Sequence, residues 1–157
     1  MKNLKQEFIE EVQAFARKKQ LKDYDAFLFF MIKMIWDYPD EVIIEAITNK
    51  SKDFGIDAII IDKNHKVIRV IQSKYSEKIG ESSFNKDELN KLNFAYNYLI
   101  GKESGDIKIN EYLNKIVRDR LDKAIRLIKE EDFEPCLYLF TTQKENINYK
   151  IYDNSTS

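Results

Sequence analysis

Asp57, Gln72 and Lys74 are the side chains whose types and spacing can do chemistry together. They lie in a stretch that begins Asp53-Phe54-Gly55-Ile56-Asp57-Ala58-Ile59-Ile60-Ile61-Asp62 and breaks at Lys63-Asn64-His65-Lys66. It resumes as Val67-Ile68-Arg69-Val70-Ile71-Gln72-Ser73-Lys74-Tyr75. Two β-branched runs around a short polar link predict an antiparallel hairpin. Strand side chains repeat every two residues, so Ile68, Val70, Gln72 and Lys74 share one face, apolar at its start and polar at its end. Antiparallel pairing returns that polar end to the start of the first run, where Asp57 stands. An acid, an amide and a lysine therefore converge at one end of the hairpin. A lysine packed there is costly unless an anion pairs with it.

The flanking elements must hold this hairpin in place. Leu4, Phe8, Val12 and Phe15 recur at helical spacing, and Arg17-Lys18-Lys19 suits the negative end of that helix. Asp23 is expected to cap a second helix that buries Phe27, Leu28, Met31, Ile32 and Ile35. Tyr38-Pro39-Asp40-Glu41 starts a short helix over residues 40–48, although its β-branched residues also fit a strand. Residues 49–53 read as a loop, with Gly55 suited to a tight approach or a positive φ. Residues 76–83 form a polar loop. Asn85 and Glu88 look like a cap for a helix carrying Leu89, Leu92, Tyr96 and Leu99. Residues 101–105 break that helix, and Leu113, Ile116, Val117, Ala124, Leu127 and Ile128 mark a longer one. Pro135 opens the apolar run 136–142, which predicts an interior strand.

Composition narrows the function classes. A chain of 157 residues that is 43% hydrophobic and 34% charged fits one globular domain. Its 26 basic and 27 acidic residues leave a formal net charge of −1, so polyanion binding must come from local patches. Cys136 is the only cysteine and His65 the only histidine, which argues against disulfides, zinc sites and Cys–His catalysis. Cys136 is expected to be a buried small hydrophobe, and His65 an exposed turn residue. Early acids in the first residues argue against a signal peptide, and the apolar run 26–36 is too short to span a bilayer. A soluble, cytoplasmic protein that contacts no membrane is expected.

Asp57 with Gln72-x-Lys74 resembles the Q-x-K variant of the PD-(D/E)XK motif of restriction-endonuclease-like nucleases. The fuller string, Asp53-Phe54-Gly55-Ile56-Asp57-Ala58 followed by Ile71-Gln72-Ser73-Lys74-Tyr75, is similar to the amino-terminal domain of AIPR proteins of abortive phage infection, and to Mrr-like restriction enzymes. The resemblance implies an α/β fold with a restriction-endonuclease-like core, a small mixed β-sheet flanked by α-helices. It implies one nuclease-like domain over 1–157: amino-terminal helices to residue 50, a catalytic hairpin at 53–75, helices at 84–130 and a further core strand at 135–142. AIPR proteins are longer, so further domains and a homodimeric partner also belong to the expectation.

The implied activity is Mg²⁺- or Mn²⁺-dependent phosphodiester hydrolysis, of DNA first and RNA second, in phage defence. A catalytically inactive domain that binds nucleic acid or a protein is the alternative. Hard oxygen donors suit Mg²⁺, which takes one or two carboxylates and keeps water on its other positions. Asp57 and Gln72 would hold the cation, and Lys74 would meet the attacking hydroxide or the phosphorane charge. The bland reading of Lys74 is a salt-bridged strand-end lysine. A glutamine oxygen brings no charge, so the resemblance calls for another acid from the preceding helix, Glu45, with Asp53 as its substitute. Both acids also have ordinary readings, Glu45 as a helix-surface glutamate and Asp53 as a turn-former. Lys63, Lys66, Arg69 and Lys78 are the candidate phosphate contacts. The cations at 115–129, interleaved with acids, read as a solvated helix face. Because clustered acids repel without a cation, Asp57→Ala is expected to leave the metal-free fold as stable or more stable.

Overall fold

The computed structural model describes residues 3–48, 55–81, 83–84, 86–101 and 115–145. Helices α1 (Leu4–Lys19), α2 (Asp23–Trp36) and α3 (Asp40–Ala46) precede the hairpin β1 (Ala58–Asp62) and β2 (Val67–Lys74). Then come β3 (Ser83–Phe84), α4 (Lys86–Leu99), α5 (Lys115–Glu131), β4 (Glu134–Thr141) and β5 (Lys144–Glu145). The architecture is mixed α/β. No helix among the described residues is long and apolar enough to cross a membrane.

Local chemistry accounts for most helix ends. Asn3 caps α1 by accepting from the Gln6 N–H at 2.8 Å, and Arg17, Lys18 and Lys19 occupy its last turn. Asp23 is the first residue inside α2, not its cap; Lys22 holds the cap position and makes no side-chain bond there. The Asp23 carboxylate still favours the positive end of the helix dipole. Helix α3 stops at Ala46, two residues short of the expected end, because Ile47 turns extended and bridges antiparallel to Ala58.

The main sheet has the order β1-β2-β4. β1 and β2 pair antiparallel, as the two β-branched runs around a polar link predicted, in a register from Ala58–Ile71 to Asp62–Val67. β2 and β4 pair parallel from Val67–Glu134 to Lys74–Thr141. A parallel pair needs a long crossover, which here contains α4 and α5. β2 is thus the strand paired on both sides, while β4 lies at the end of the strand order and most of its side chains are only half-buried. Among the described residues, the apolar run read as an interior strand is therefore an outer one. Pro135, which lacks an N–H, is tolerated in such a position.

The sheet separates two apolar clusters. On one side Ile59, Ile68 and Val70 pack with Leu92, Leu99, Val117, Leu121 and Ala124 of α4 and α5. On the other, Ala58, Ile60, Ile71 and Phe140 pack with Val12, Phe27, Phe29, Ile32 and Ile43 of the first three helices. Three positions expected on buried stripes are exposed: Leu4 (83%), Ile35 and Ile116. Each lies in the first or last turn of its helix. The loop expected at 76–83 ends in a strand, since Ser83 and Phe84 pair parallel with Lys144 and Glu145. The loop at 49–53, the Asn85 cap, most of the 101–105 break and Leu113 lie outside the described residues.

Candidate functional site

Asp57 ties its own backbone to β2 and to the segment after α3. Its N–H donates to the Ile71 carbonyl at 2.8 Å, and its carbonyl accepts from the Thr48 N–H at 2.9 Å. The first bond is one residue out of step with the ladder, in which Ala58 opposes Ile71. Such local bulges re-aim side chains at strand ends. The Asp57 Oδ2 accepts from the Ser73 N–H at 2.7 Å. The carboxylate is thereby fixed against the backbone between Gln72 and Lys74. Thr48, which sequence reasoning did not single out, secures the turn by donating from its hydroxyl to the Ile56 carbonyl at 2.7 Å.

Gln72 is fully buried on the α4 side of the sheet. Gly55 lies directly over it with φ of +72°: a Cβ there would stand 2.9 Å from Gln72 Nε2 and 3.2 Å from Lys91 Cδ. Glycine is required at this position both for the left-handed backbone and for the close approach. Lys91 of α4 thus enters the same neighbourhood, an addition that only the packing of α4 could disclose. Lys74 is half-buried and shares the row of Ile68, Val70 and Gln72. Its carbonyl accepts from the Thr141 hydroxyl at 3.0 Å and the Thr142 N–H at 3.2 Å, which fixes the strand end. Tyr75 turns to the other face and stacks on Phe27 at 5.1 Å between ring centroids. Burial, with the charges of Asp23 and Glu77, pushes its hydroxyl up to about 12.

Other expected site residues stand elsewhere. Glu45 is exposed and lines a groove with Val42, Ile59, Ile60, Ile61 and Arg120, beside the middle of β1. Its carbonyl and that of Ala46 both accept from the Arg120 guanidinium, the Ala46 bond being 2.9 Å. That groove contains none of Asp57, Gln72 and Lys74. Asp53 lies outside the described residues. Arg69 faces the first three helices, not the row of Gln72. Its guanidinium sits 4.5 Å from the Trp36 ring centroid and donates to Tyr38 Oη at 2.9 Å and Tyr138 Oη at 2.5 Å. Arg69 therefore packs against Trp36, Tyr38 and Tyr138, because alternation sends it to the face of β2 opposite to that of Val70 and Gln72.

Lys63 and Lys66 occupy the hairpin turn. Five strand residues separate that turn from Asp57, a span of roughly 16–20 Å at strand rise. Lys78 is exposed in the segment after β2, at the Lys74 end. His65 is exposed, as expected, with Nδ1 2.9 Å from Asp62 Oδ2. Cys136 is half-buried instead of buried, a consequence of its place on the outer strand.

Asp57 and Gln72 offer a carboxylate and an amide oxygen, both hard donors of the kind Mg²⁺ takes alongside water. Among the described residues no group of three His, Cys, Asp or Glu side chains is placed to hold a metal ion. The structure also revises the expected effect of Asp57→Ala: this carboxylate satisfies the N–H of fully buried Ser73, so its loss orphans a buried donor. Comparison with known proteins returns no matching family model, no matching curated protein and no matching solved structure.

Proposed function

We propose that this chain is a divalent-metal-dependent nuclease domain of the PD-(D/E)XK type, acting on DNA and, second, on RNA, with abortive phage infection as its setting. The observation that carries the reading is the 2.7 Å bond from the Ser73 N–H to Asp57 Oδ2, which pins the acid between Gln72 and Lys74. The order of elements supports it too. Helices, an antiparallel hairpin, helices and a parallel strand follow one another as the resemblance implies.

Asp57 and Gln72 would hold the cation, which when bound supplies positive charge at the scissile phosphate and a more acidic water. Buried Gln72 orients a neutral oxygen without adding charge. Lys74, on the same row, contributes an ammonium toward the charge that develops on phosphorus. Lys91 adds a second cation to the neighbourhood. Gly55 leaves the space in which Gln72 and Lys91 approach each other.

The test is cleavage of plasmid DNA and of RNA with Mg²⁺ or Mn²⁺, comparing the native chain with Lys74→Ala. Metal-dependent cleavage that disappears in the variant, with the melting temperature retained, is the expected result. A folded native protein that cuts neither substrate with either metal overturns the proposal. Gln72, a neutral amide where the motif usually carries a carboxylate, favours a second reading, a nuclease-like domain that binds without cutting. Mg²⁺ titration by calorimetry separates the two, since a non-catalytic domain need bind no cation.

A further inference from the structure

The strongest unexplained feature lies at the other end of the hairpin. A groove of about 380 Å³ opens between the β1–β2 turn and α5, with Leu127 and Phe133 among its lining residues. Lys63 and Lys66 from the turn and Lys123 and Arg126 from α5 line it, and all four are exposed. Lys63 and Lys123 also line the neighbouring groove along β1, of about 270 Å³, so the two run into each other.

Some cations elsewhere on the described surface have a structural use. Lys19 pairs with Asp40 at 2.6 Å, Lys33 pairs with Asp37 and Asp40, and Arg120 clamps the end of α3. Lys66 donates to the Glu131 carbonyl at 3.3 Å. Lys63, Lys123 and Arg126 differ. Among the described residues none of these three makes an ion pair or hydrogen bond. Acids that could pair with them are one helical turn away: Asp119 precedes Lys123 by four residues, and Asp122 and Glu130 flank Arg126 by four. Pairs at that spacing are ordinarily favourable on a helix surface. Here the cations line the groove without pairing with those acids.

From this convergence we infer that Lys63, Lys123 and Arg126 form a track for the phosphodiester backbone of nucleic acid, distant from the Asp57–Lys74 end. The partner is a polyanion because three unpaired cations from two elements line one continuous trough in a chain of net charge −1. Lys123 and Arg126, three residues apart, stand about 4.5 Å apart along the helix axis, and Lys63 faces them from the turn. Glu130 and Glu131 line the groove too, and Lys66 is engaged with the Glu131 carbonyl, so the track is assigned to Lys63, Lys123 and Arg126. The proposal extends the nuclease reading by assigning a substrate contact some strand-length away from the reacting end, and it stands or falls separately.

The experiment is fluorescence anisotropy with a labelled 20-base-pair duplex and a labelled single-stranded RNA, in EDTA so that cleavage is silent. The native chain is compared with Lys63→Gln/Lys123→Gln/Arg126→Gln, and with Lys129→Gln as a control on the same helix outside the groove. The triple variant should bind at least tenfold more weakly, and its salt slope on duplex should fall by about 2–3, near 0.9 for each phosphate no longer neutralised. The control should bind as the native chain does. Equal affinity of native and triple variant, or no nucleic-acid binding by the native chain, overturns the inference. So does preferential binding of polyglutamate through the same three residues. Groove-dependent binding without metal-dependent cleavage would sink the nuclease reading alone; cleavage with unchanged binding in the triple variant would sink the track alone.

Discussion

At the scale of single residues, the hairpin end depends on one hydrogen bond and one missing Cβ. Asp57→Ala removes the acceptor for the Ser73 N–H and should cost about 1–3 kcal/mol. Asp57→Asn keeps an amide oxygen in that place and should retain most of the stability while removing the charge. Thermal melts in metal-free buffer, set beside cleavage assays, separate the two roles. A melting temperature in Asp57→Ala equal to the native value would mean that the Ser73 bond is dispensable. Gly55→Ala faces a left-handed backbone and a contact of 2.9 Å with Gln72 Nε2. It should cost roughly 1–2 kcal/mol from backbone strain, with a further loss if Gln72 is displaced.

Asp62 gives the residue scale its pH dependence. Burial opposes its charge, yet bonds from the Tyr38 hydroxyl at 2.6 Å and from the His65 backbone and ring prevail, and its pKa falls to about 2. A carboxyl depressed on folding contributes stability above its unfolded pKa, near 3.9, and loses it as pH falls through the folded value. The native chain should therefore lose this contribution between about pH 4 and pH 2. Asp62→Asn should be less stable at pH 6, with a smaller further loss across that acid window. Urea midpoints at pH 6, 4 and 2.5 check the sign. A native-to-variant difference that does not shrink toward low pH would contradict it.

At the scale of elements, Arg120 couples α5 to α3. It donates to the carbonyls of Glu45 and Ala46, where the helix ends and its acceptors lack internal partners. Burial lowers the Arg120 pKa only against a very high ordinary value, so the guanidinium stays charged. Arg120→Ala should destabilise by roughly 1–3 kcal/mol, and Arg120→Lys should fall between, because an ammonium lacks the planar fork. Glu45 belongs to the same junction through its backbone, so Glu45→Gln should leave stability nearly unchanged. Its effect on Mg²⁺ dependence decides the metal role: a silent Glu45→Gln assigns the additional acid to Asp53 or to another chain.

At the scale of the whole molecule, β2 divides the two apolar clusters and is hydrogen-bonded on both edges. Native-state hydrogen exchange should accordingly be slowest in the interior of β2, where opening requires both clusters to separate. Amides of β4 facing away from β2 should exchange faster. Equal protection of the outer strand and β2 would show that a further element covers β4. The sheet also segregates chemistry along its length. The acid, amide and lysine stand at one end, and the unpaired cations stand at the turn.

The sequence determined what is local. Two β-branched runs around a polar link set the antiparallel hairpin, and period-two alternation put Ile68, Val70, Gln72 and Lys74 in one row. Helical periodicity and end residues set α1 to α3 within a few positions, since caps and dipoles act within one turn. Tertiary structure decided what depends on residues far apart in the chain. Among the described residues β4 is an outer strand, because strand order is fixed by packing and an apolar run looks the same in either place. Arg69, near the hairpin in sequence, is consumed by Trp36, Tyr38 and Tyr138, because alternation sends it to the opposite face. Arg120, which reads as one of many surface cations, became a clamp once α5 crossed α3. Lys123 and Arg126 were left facing Lys63 across a groove for the same reason: periodicity tells which way a side chain points from its own element, and only the packing of elements tells what stands opposite it.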